Sequence, residues 1–196
     1  MAARWPGWVF GFQDEVWFSR LAQPALRAWA PDHPNQPLRL HQKDKQAKDK
    51  EPEALACYGL LRHDTGDMML RFVEGRPVSA VTTAFLEWVA QELAGQGVRV
   101  LVIAWDNASW HKSAEVRRWI QAHNQRLKPL RHTPQAGCHV LVCPLPVKSP
   151  WLNAIEPKWV HGKKNIVEPQ RKLAAHEIKQ RLCDYYPCPL LPPLVQ

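Results

Sequence analysis

The sequence predicts an α/β domain in which helices flank a mixed central sheet. Large apolar residues recur at almost every second position from Trp8 to Phe18, which is typical of a strand with one strongly apolar face. Residues Val98 to Trp105 are nearly all apolar, as expected of a central strand that is covered on both faces. Strand and helix patterns then alternate along the rest of the chain.

Two more strands and a helix are predicted between these segments. The strands, Ala54 to Arg62 and Met68 to Val73, are separated by His63 to Asp67, whose composition is typical of a turn. Pro77 opens a helix in which apolar residues recur every three or four positions, and two glycines end it.

Three further elements are predicted after the central strand. Ser113 is suited to cap a helix, because its side chain can accept a backbone hydrogen bond there. His139 to Cys143 reads as a short strand, and Pro144 to Pro150 as a loop. A basic helix is expected from Asn153 onward.

The length and composition predict one domain. The chain has 196 residues, 45% of them hydrophobic, so we expect a single domain over residues 1–196. A connection at about 23–53 and a proline-rich tail from about 187 are expected to be irregular. No apolar run approaches the ~20 residues that a bilayer requires. No signal peptide or disulfide framework is recognisable, which predicts a cytoplasmic location.

The charge is distributed unevenly along the chain. Residues 1–100 hold 12 Lys and Arg against 12 Asp and Glu, whereas residues 101–196 hold 14 against 6. The whole net charge of +8 therefore comes from the second half. This favours a polyanion partner, of which nucleic acid is the commonest, although a basic surface without a partner has the same composition.

Two acidic residues are associated with the predicted strands. Asp14 shares its face with large apolar side chains, where an unpaired charge is costly, so it requires a cationic side chain, a proton or a metal. Its neighbour Glu15 is expected on the polar face as a solvated carboxylate. Asp106 follows the apolar strand at the edge where α/β sheets bind ligands, but an Asp also commonly begins a turn there.

A third acidic residue, Glu156, lies at the start of the last predicted helix. With Asn153 as the N-cap it would form a capping box, which explains a glutamate without any catalytic role. Asp14, Asp106 and Glu156 together would provide hard oxygen ligands from three elements, as Mg²⁺ and Mn²⁺ prefer. Two such ions about 4 Å apart promote phosphodiester chemistry.

Two motifs carry a resemblance to a known family. Asp106–His111 reads DNASWH, and Leu145–Glu156 reads LPVKSPWLNAIE, followed by Trp159. Together they resemble the DDE transposases of the mariner-like superfamily, in particular the bacterial insertion-sequence branch called DDE superendonucleases. The resemblance covers roughly Trp8 to Ile166 and implies a ribonuclease H-like fold.

The resemblance also implies a function. Asp14, Asp106 and Glu156 would be the catalytic residues and the ligands of Mg²⁺ or Mn²⁺, with two ions expected. The activity would be DNA strand cleavage and strand transfer of an insertion sequence. The implied partners are transposon-end and target DNA, and a second copy of the chain in a homodimer or higher assembly. The location would be bacterial cytoplasm, with nucleoid association on DNA.

The sequence departs from the family pattern in three ways. The 49 residues between Asp106 and Glu156 exceed the usual interval, and we expect the excess in a surface loop at Pro129 to Gly137. Ala154 replaces the usual proline. The helix-turn-helix region that reads transposon ends is not recognisable, so a separately encoded portion is a further expected partner.

Several other residues are candidates for DNA contacts. Trp151 and Trp159 would either stack on bases or pack the last helix against the core. The Cys138–Cys143 and Cys183–Cys188 pairs are spaced too widely for a typical zinc knuckle. His111 would orient a carboxylate, contact phosphate or be purely structural. The expected DNA-binding residues are His111, Lys148, Lys158, Lys163 and Lys164.

Two other functions are compatible with the sequence. One is a non-catalytic DNA-binding or assembly protein that keeps the fold of a transposase. The other is a different ribonuclease H-like nuclease that acts on RNA–DNA hybrids or junctions. Metal-dependent nicking of DNA would distinguish the first from a transposase, and substrate preference would distinguish the second.

Overall fold

The computed structural model describes residues 5–20, 50–127, 137–147, 149–166 and 172–195, and the backbone alone at 28–30 and 33–38. The strands are β1 (Trp8–Ser19), β2 (Ala28–Ala30), β3 (His33–Leu38), β4 (Ala54–Arg62), β5 (Met68–Glu74), β6 (Val100–Trp105), β7 (His139–Pro144) and β8 (Leu194–Val195). The helices are α1 (Ser79–Gly95), α2 (Ala114–Arg126), α3 (Glu156–Ile166) and α4 (Ala175–Tyr185), with a 3₁₀ turn at Pro150–Leu152.

Six strands form one mixed sheet in the order β7-β6-β1-β4-β5-β8. β1 is antiparallel to β4 and parallel to β6, and β6 is parallel to β7. The predicted α/β architecture with a mixed central sheet is therefore confirmed. β2 and β3 pair with each other in the expected irregular connection, and β8 pairs with β5 at the end of the proline-rich tail.

The sheet is covered on both faces. One hydrophobic cluster joins the sheet to α1 and α2 through residues such as Leu60, Phe85, Trp105 and Val116. The other joins it to α3 and α4 through residues that include Phe18. Since successive side chains of a strand point to opposite faces, each face of β1 meets a helical layer. A polar side chain on either face of β1 can therefore be buried under a helix.

Some predicted features lie elsewhere than expected. The last basic helix begins at Glu156 instead of Asn153, because the 3₁₀ turn precedes it and Pro157 suits the first turn of a helix. The expected insertion loop lies outside the described residues except for Gly137, and Lys148 lies outside them as well. Within the described part of the chain, no helix is long and apolar enough to cross a membrane.

Candidate active site

Asp14 and Asp106 lie at matching positions of adjacent parallel strands. Phe12 pairs with Ala104 at the end of the β1–β6 ladder, so the same register carries Asp14 alongside Asp106. Both carboxylates therefore lie at the carboxyl end of this strand pair, where α/β folds bind ligands. Neither carboxyl position depends on a long flexible loop.

Asp14 is buried on the face that α3 covers. Its Oδ2 accepts a hydrogen bond from the indole Nε1 of Trp159, at 3.1 Å. Burial, reinforced by the negative charges of Glu15, Glu156 and Asp106, raises the pKa of Asp14 to about 7. The carboxylates thus act on one another electrostatically, and Asp14 holds a proton near neutral pH unless a cation compensates.

Asp106 is the more exposed of the two aspartates, with 47% of its side chain accessible. Its Oδ1 accepts hydrogen bonds from the backbone N–H of Ala108 at 3.0 Å and from Nδ1 of His111 at 2.7 Å. The bond from His111 is the main cause that lowers the pKa of Asp106. Asp106 is therefore ionised and has its second oxygen available toward solvent.

His111 connects the two strands. Its ring stacks on Trp105 at 4.3 Å between centroids, and its Nε2 lies 2.8 Å from Oε1 of Glu15. Burial lowers the pKa of His111, but the bonds to Asp106 and Glu15 outweigh burial and raise it to about 9. A doubly protonated ring donates to both carboxylates. Both ring nitrogens are occupied and only 2% of the side chain is exposed, which favours the carboxylate-orienting role over the predicted contact of His111 with DNA.

Glu15 is not the solvated carboxylate that the sequence suggested. Only 6% of its side chain is exposed, and it accepts hydrogen bonds from Nε2 of Gln13 at 3.0 Å and from His111. Gln13 in turn accepts a hydrogen bond from the indole of Trp105. The prediction failed because it took the face opposite Asp14 as exposed, whereas α1 and α2 cover that face. The apolar run of β6, typical of a strand covered twice, was the signal for this second layer.

Glu156 is the first residue of α3, and its backbone N–H donates to the carbonyl of Asn153 at 3.1 Å. The Asn153 side chain does not cap the helix, so the predicted capping box is absent. Glu156 shares a cavity of about 250 Å³ with Asp106; the other lining residues are Asn107, Leu145, Pro146, Ser149 and Asn153. The amide of Asn107 donates to the carbonyl of Leu145 at 2.6 Å, which holds one wall in place.

The three described lysines of α3 are exposed. Lys163 and Lys164 follow Glu156 by about two turns on its side of the helix, whereas Lys158, two residues after Glu156, points to the opposite side. Trp159 is buried and packs edge-to-face on Phe18. Of the two roles suggested for Trp159, the structure supports packing of α3 against the core and not stacking on bases. Trp151, on the 3₁₀ turn beside the cavity, is 77% exposed.

Within the part of the chain that the structure describes, the cysteines belong to no metal-binding group. All five are free, and Cys143 is exposed while its pair partner Cys138 is buried. Among the described residues, no three His, Cys, Asp or Glu side chains stand close enough to form a complete metal-binding group. This includes the three carboxylates of the candidate site.

The fold and the site together define a class of protein. A mixed sheet flanked by helices, with acidic residues at the ends of two central strands and at the start of a covering helix, agrees with the ribonuclease H-like fold that the sequence motifs implied. The chain belongs to the DDE superfamily of endonucleases, whose family model matches residues 10–178. No curated protein matches the chain by sequence.

Solved structures of a transposase share the fold. The Mos1 transposase paired-end complex with left transposon end has a TM-score of 0.64 at 14% identity, over 92% of this chain and 48% of the Mos1 chain. The Mos1 mariner paired-end complexes with Mn and with Mg give TM-scores of 0.62 and 0.56 at 13% and 16% identity, each over 91% of this chain and 48% of the Mos1 chain. This chain thus spans about half the length of those proteins, and the ribonuclease H-like fold is confirmed.

Proposed function

We propose that this chain is the catalytic domain of an insertion-sequence transposase that cleaves DNA strands and transfers them to a target. Asp14, Asp106 and Glu156 are its catalytic residues, and they bind Mg²⁺ or Mn²⁺, with two ions at full occupancy. The observation that carries the proposal is geometric: Asp106 and Glu156 line one cavity, and the β1–β6 register brings Asp14 alongside Asp106. Bringing three carboxylates to one edge of the sheet is costly unless a cation neutralises them.

The residues present suit a hard divalent cation. They offer carboxylate oxygens from three elements. Asp106 and Glu156 line one cavity, and Asp14 is buried beside Asp106 in the adjacent strand. Bound divalent ions would supply Lewis-acid activation of the attacking oxygen and stabilise the leaving oxygen. The carboxylates would orient these groups, and Asp106, with 47% of its side chain exposed, is accessible from solvent whereas Asp14 is buried.

The surrounding side chains keep the carboxylates in position. Trp159 holds Asp14, and His111 holds Asp106 against Glu15. Lys163 and Lys164 would bind the phosphate backbone along α3, and Lys148 and Lys158 are further proposed phosphate contacts. His111 acts through Asp106 and does not touch DNA.

The proposed reaction has two displacements at phosphorus. Water attacks a phosphodiester at the element end, a P–O bond forms to the water oxygen, and the strand leaves as a 3′-hydroxyl. That hydroxyl then attacks a target phosphodiester, so the new P–O bond joins element to target and a target 3′-hydroxyl leaves. The Mos1 transposase forms paired-end and strand-transfer complexes, which supports both steps for this chain.

The assembly follows from the same proposal. Residues 1–196 form one catalytic domain, which works as a homodimer or higher assembly on transposon-end and target DNA. A separately encoded helix-turn-helix portion reads the end sequence. The proposed location is the bacterial cytoplasm, with nucleoid association on DNA.

Nicking assays test the proposal directly. The purified chain is incubated with Mg²⁺ or Mn²⁺ and three labelled substrates: a DNA duplex with the sequence of a candidate element end, an RNA–DNA hybrid and a four-way junction. Metal-dependent nicking of the element-end duplex, lost on Asp106→Asn, is expected. Preference for the hybrid or the junction would identify a different nuclease. No nicking by folded, DNA-binding protein would identify a non-catalytic relative.

A further inference from the structure

The amide of Asn153 is buried in the wall of the candidate active site without a partner for its oxygen. The residue is 2% exposed, and its Oδ1 has no hydrogen-bond partner among the residues that the structure describes. Asn153 lines the same cavity as Asp106 and Glu156. Buried polar atoms are nearly always paired in folded proteins, so an unpaired oxygen on a residue that lines a cavity indicates a place for a ligand.

The backbone on either side of Asn153 is fixed by its own contacts. The backbone carbonyl of Asn153 accepts the N–H of Glu156 at 3.1 Å, and Ile155 is fully buried in the core between them. The segment that joins the 3₁₀ turn to α3 is therefore fixed by a backbone hydrogen bond and by a buried side chain. An N-cap role would have used Oδ1 on a backbone N–H, but no such bond is present in the described chain.

We infer that Asn153 supplies an amide oxygen ligand, directly or through a bound water, to the divalent cation that Asp106 and Glu156 hold. Amide oxygens are suitable ligands for Mg²⁺ and Mn²⁺. A neutral ligand suits this position, because a further carboxylate would add to the repulsion that already acts on Asp14. The inference rests on the proposed function and names a fourth residue of its metal centre.

A flip of the Asn153 amide would exchange the positions of its oxygen and its NH₂ group and would give the residue a different role. The NH₂ group would then donate to a DNA phosphate and not to the cation. The two roles respond differently to substitution. Asp keeps an oxygen ligand but repels phosphate, whereas Ala removes both interactions.

The test compares the wild-type chain with Asn153→Ala, Asn153→Asp and the control Asn165→Ala. Asn165 is an exposed asparagine on the same helix as Glu156, and its amide bonds to the carbonyl of His161. Mn²⁺ affinity is measured without DNA by the paramagnetic resonance of free Mn²⁺, and duplex affinity by anisotropy without divalent ions. Circular dichroism and thermal melting establish that each variant is folded.

We expect Asn153→Ala to weaken Mn²⁺ binding about tenfold, Asn153→Asp to bind Mn²⁺ at least as tightly as wild type, and Asn165→Ala to match wild type. Equal Mn²⁺ affinity of wild type and Asn153→Ala would overturn the inference while leaving the proposed function intact. Weaker DNA binding by Asn153→Ala with unchanged Mn²⁺ affinity would overturn it in favour of a phosphate contact. Failure of the wild-type chain to bind Mn²⁺ would instead refute the proposed metal centre itself.

Discussion

The indole N–H of Trp159 donates to the carboxylate of Asp14, across 145 residues of sequence. This bond ties α3, which begins with Glu156, directly to the strand that carries Asp14. Gly59, the β4 partner of Asp14, makes the approach possible, because a Cβ at position 59 would overlap the indole ring. One contact thus sets the relation between two of the proposed catalytic residues.

Trp159→Phe tests that contact. Phenylalanine keeps most of the packing against Phe18 but removes the donor, so the Asp14 oxygen is left buried without it. We expect a loss of about 1–3 kcal/mol in the free energy of unfolding and a fall of about tenfold in Mg²⁺-dependent nicking. Urea denaturation and single-turnover nicking measure the two effects. Trp151→Phe, at an exposed indole, is the control for stability. Wild-type values for Trp159→Phe would show that the bond has no influence on the site.

Asp106→Asn and Glu156→Gln should each abolish metal-dependent cleavage without unfolding the protein. Glu156→Gln removes a negative charge that helps to raise the pKa of Asp14, so its stability without metal should be unchanged or higher. Asp106→Asn also loses the charge-assisted bond to His111, so its free energy of unfolding should fall, but the chain should stay folded. The capping interpretation of Glu156 makes a different prediction, because glutamine also caps and activity would survive. Nicking with Mg²⁺ decides between them, and Glu87→Gln on the exposed side of α1 is the matched control.

Asp14 should make the metal-free protein less stable as the pH rises. Its pKa is raised from 3.8 to about 7 in the folded state. Between these values the folded chain keeps a proton that the unfolded chain has released, so the free energy of unfolding falls with increasing pH. From about pH 4.5 to about pH 6.5 the loss should be about 2–3 kcal/mol larger for wild type than for Asp14→Asn.

Urea denaturation in the presence of a chelator measures this difference. The chosen range ends at the ordinary pKa of histidine, because the raised pKa of His111 adds a similar decline only between 6.5 and about 9. Added Mg²⁺ should restore stability at the high end, since it binds the ionised carboxylate. Parallel curves for wild type and Asp14→Asn would contradict the raised pKa.

His111→Gln and Glu15→Gln should lower turnover while leaving DNA affinity unchanged. His111 bonds to Asp106 at 2.7 Å, and Glu15 bonds to the other ring nitrogen of His111 at 2.8 Å, so both act on Asp106 as positioning residues. Supporting residues of this kind typically contribute about 10–100-fold. Single-turnover rates and anisotropy titrations separate the two quantities. His123→Gln is the control, because His123 stacks on Trp119 and bonds to the carbonyl of Cys138, away from the site. Weaker DNA binding by His111→Gln would indicate the direct phosphate contact that the structure argues against.

The lysines of α3 should bind DNA without sequence preference. Replacing Lys163 and Lys164 by Ala should weaken binding about equally on an element-end duplex and on a scrambled duplex. The slope of log affinity against log salt should fall by about 2. The double variant Arg118→Ala/Arg126→Ala removes two exposed charges from α2, on the opposite face of the sheet, and should have less effect. A strong preference of wild type for the element end would show that residues 1–196 themselves read the sequence.

Local patterns in the sequence were sufficient for the fold class and for the three proposed catalytic carboxylates. The alternation in β1, the apolar run of β6 and the spacing in α1 each depend on residues within one element, so periodicity alone predicts them. The segments Asp106–His111 and Leu145–Glu156 indicated the DDE family, and the family-model match over residues 10–178 confirms it. These features do not depend on how the elements pack.

The surroundings of those carboxylates depended on packing. Glu15 is buried because β6 and α2 bring His111 to it from 96 residues away, and Asp14 has an indole donor because α3 crosses Gly59. Asn153 faces a cavity, and not a helix terminus, because α3 starts three residues later than its sequence suggested. A period-two pattern shows that two faces of a strand differ, but only the second helical layer decides whether the polar face meets water or a buried partner.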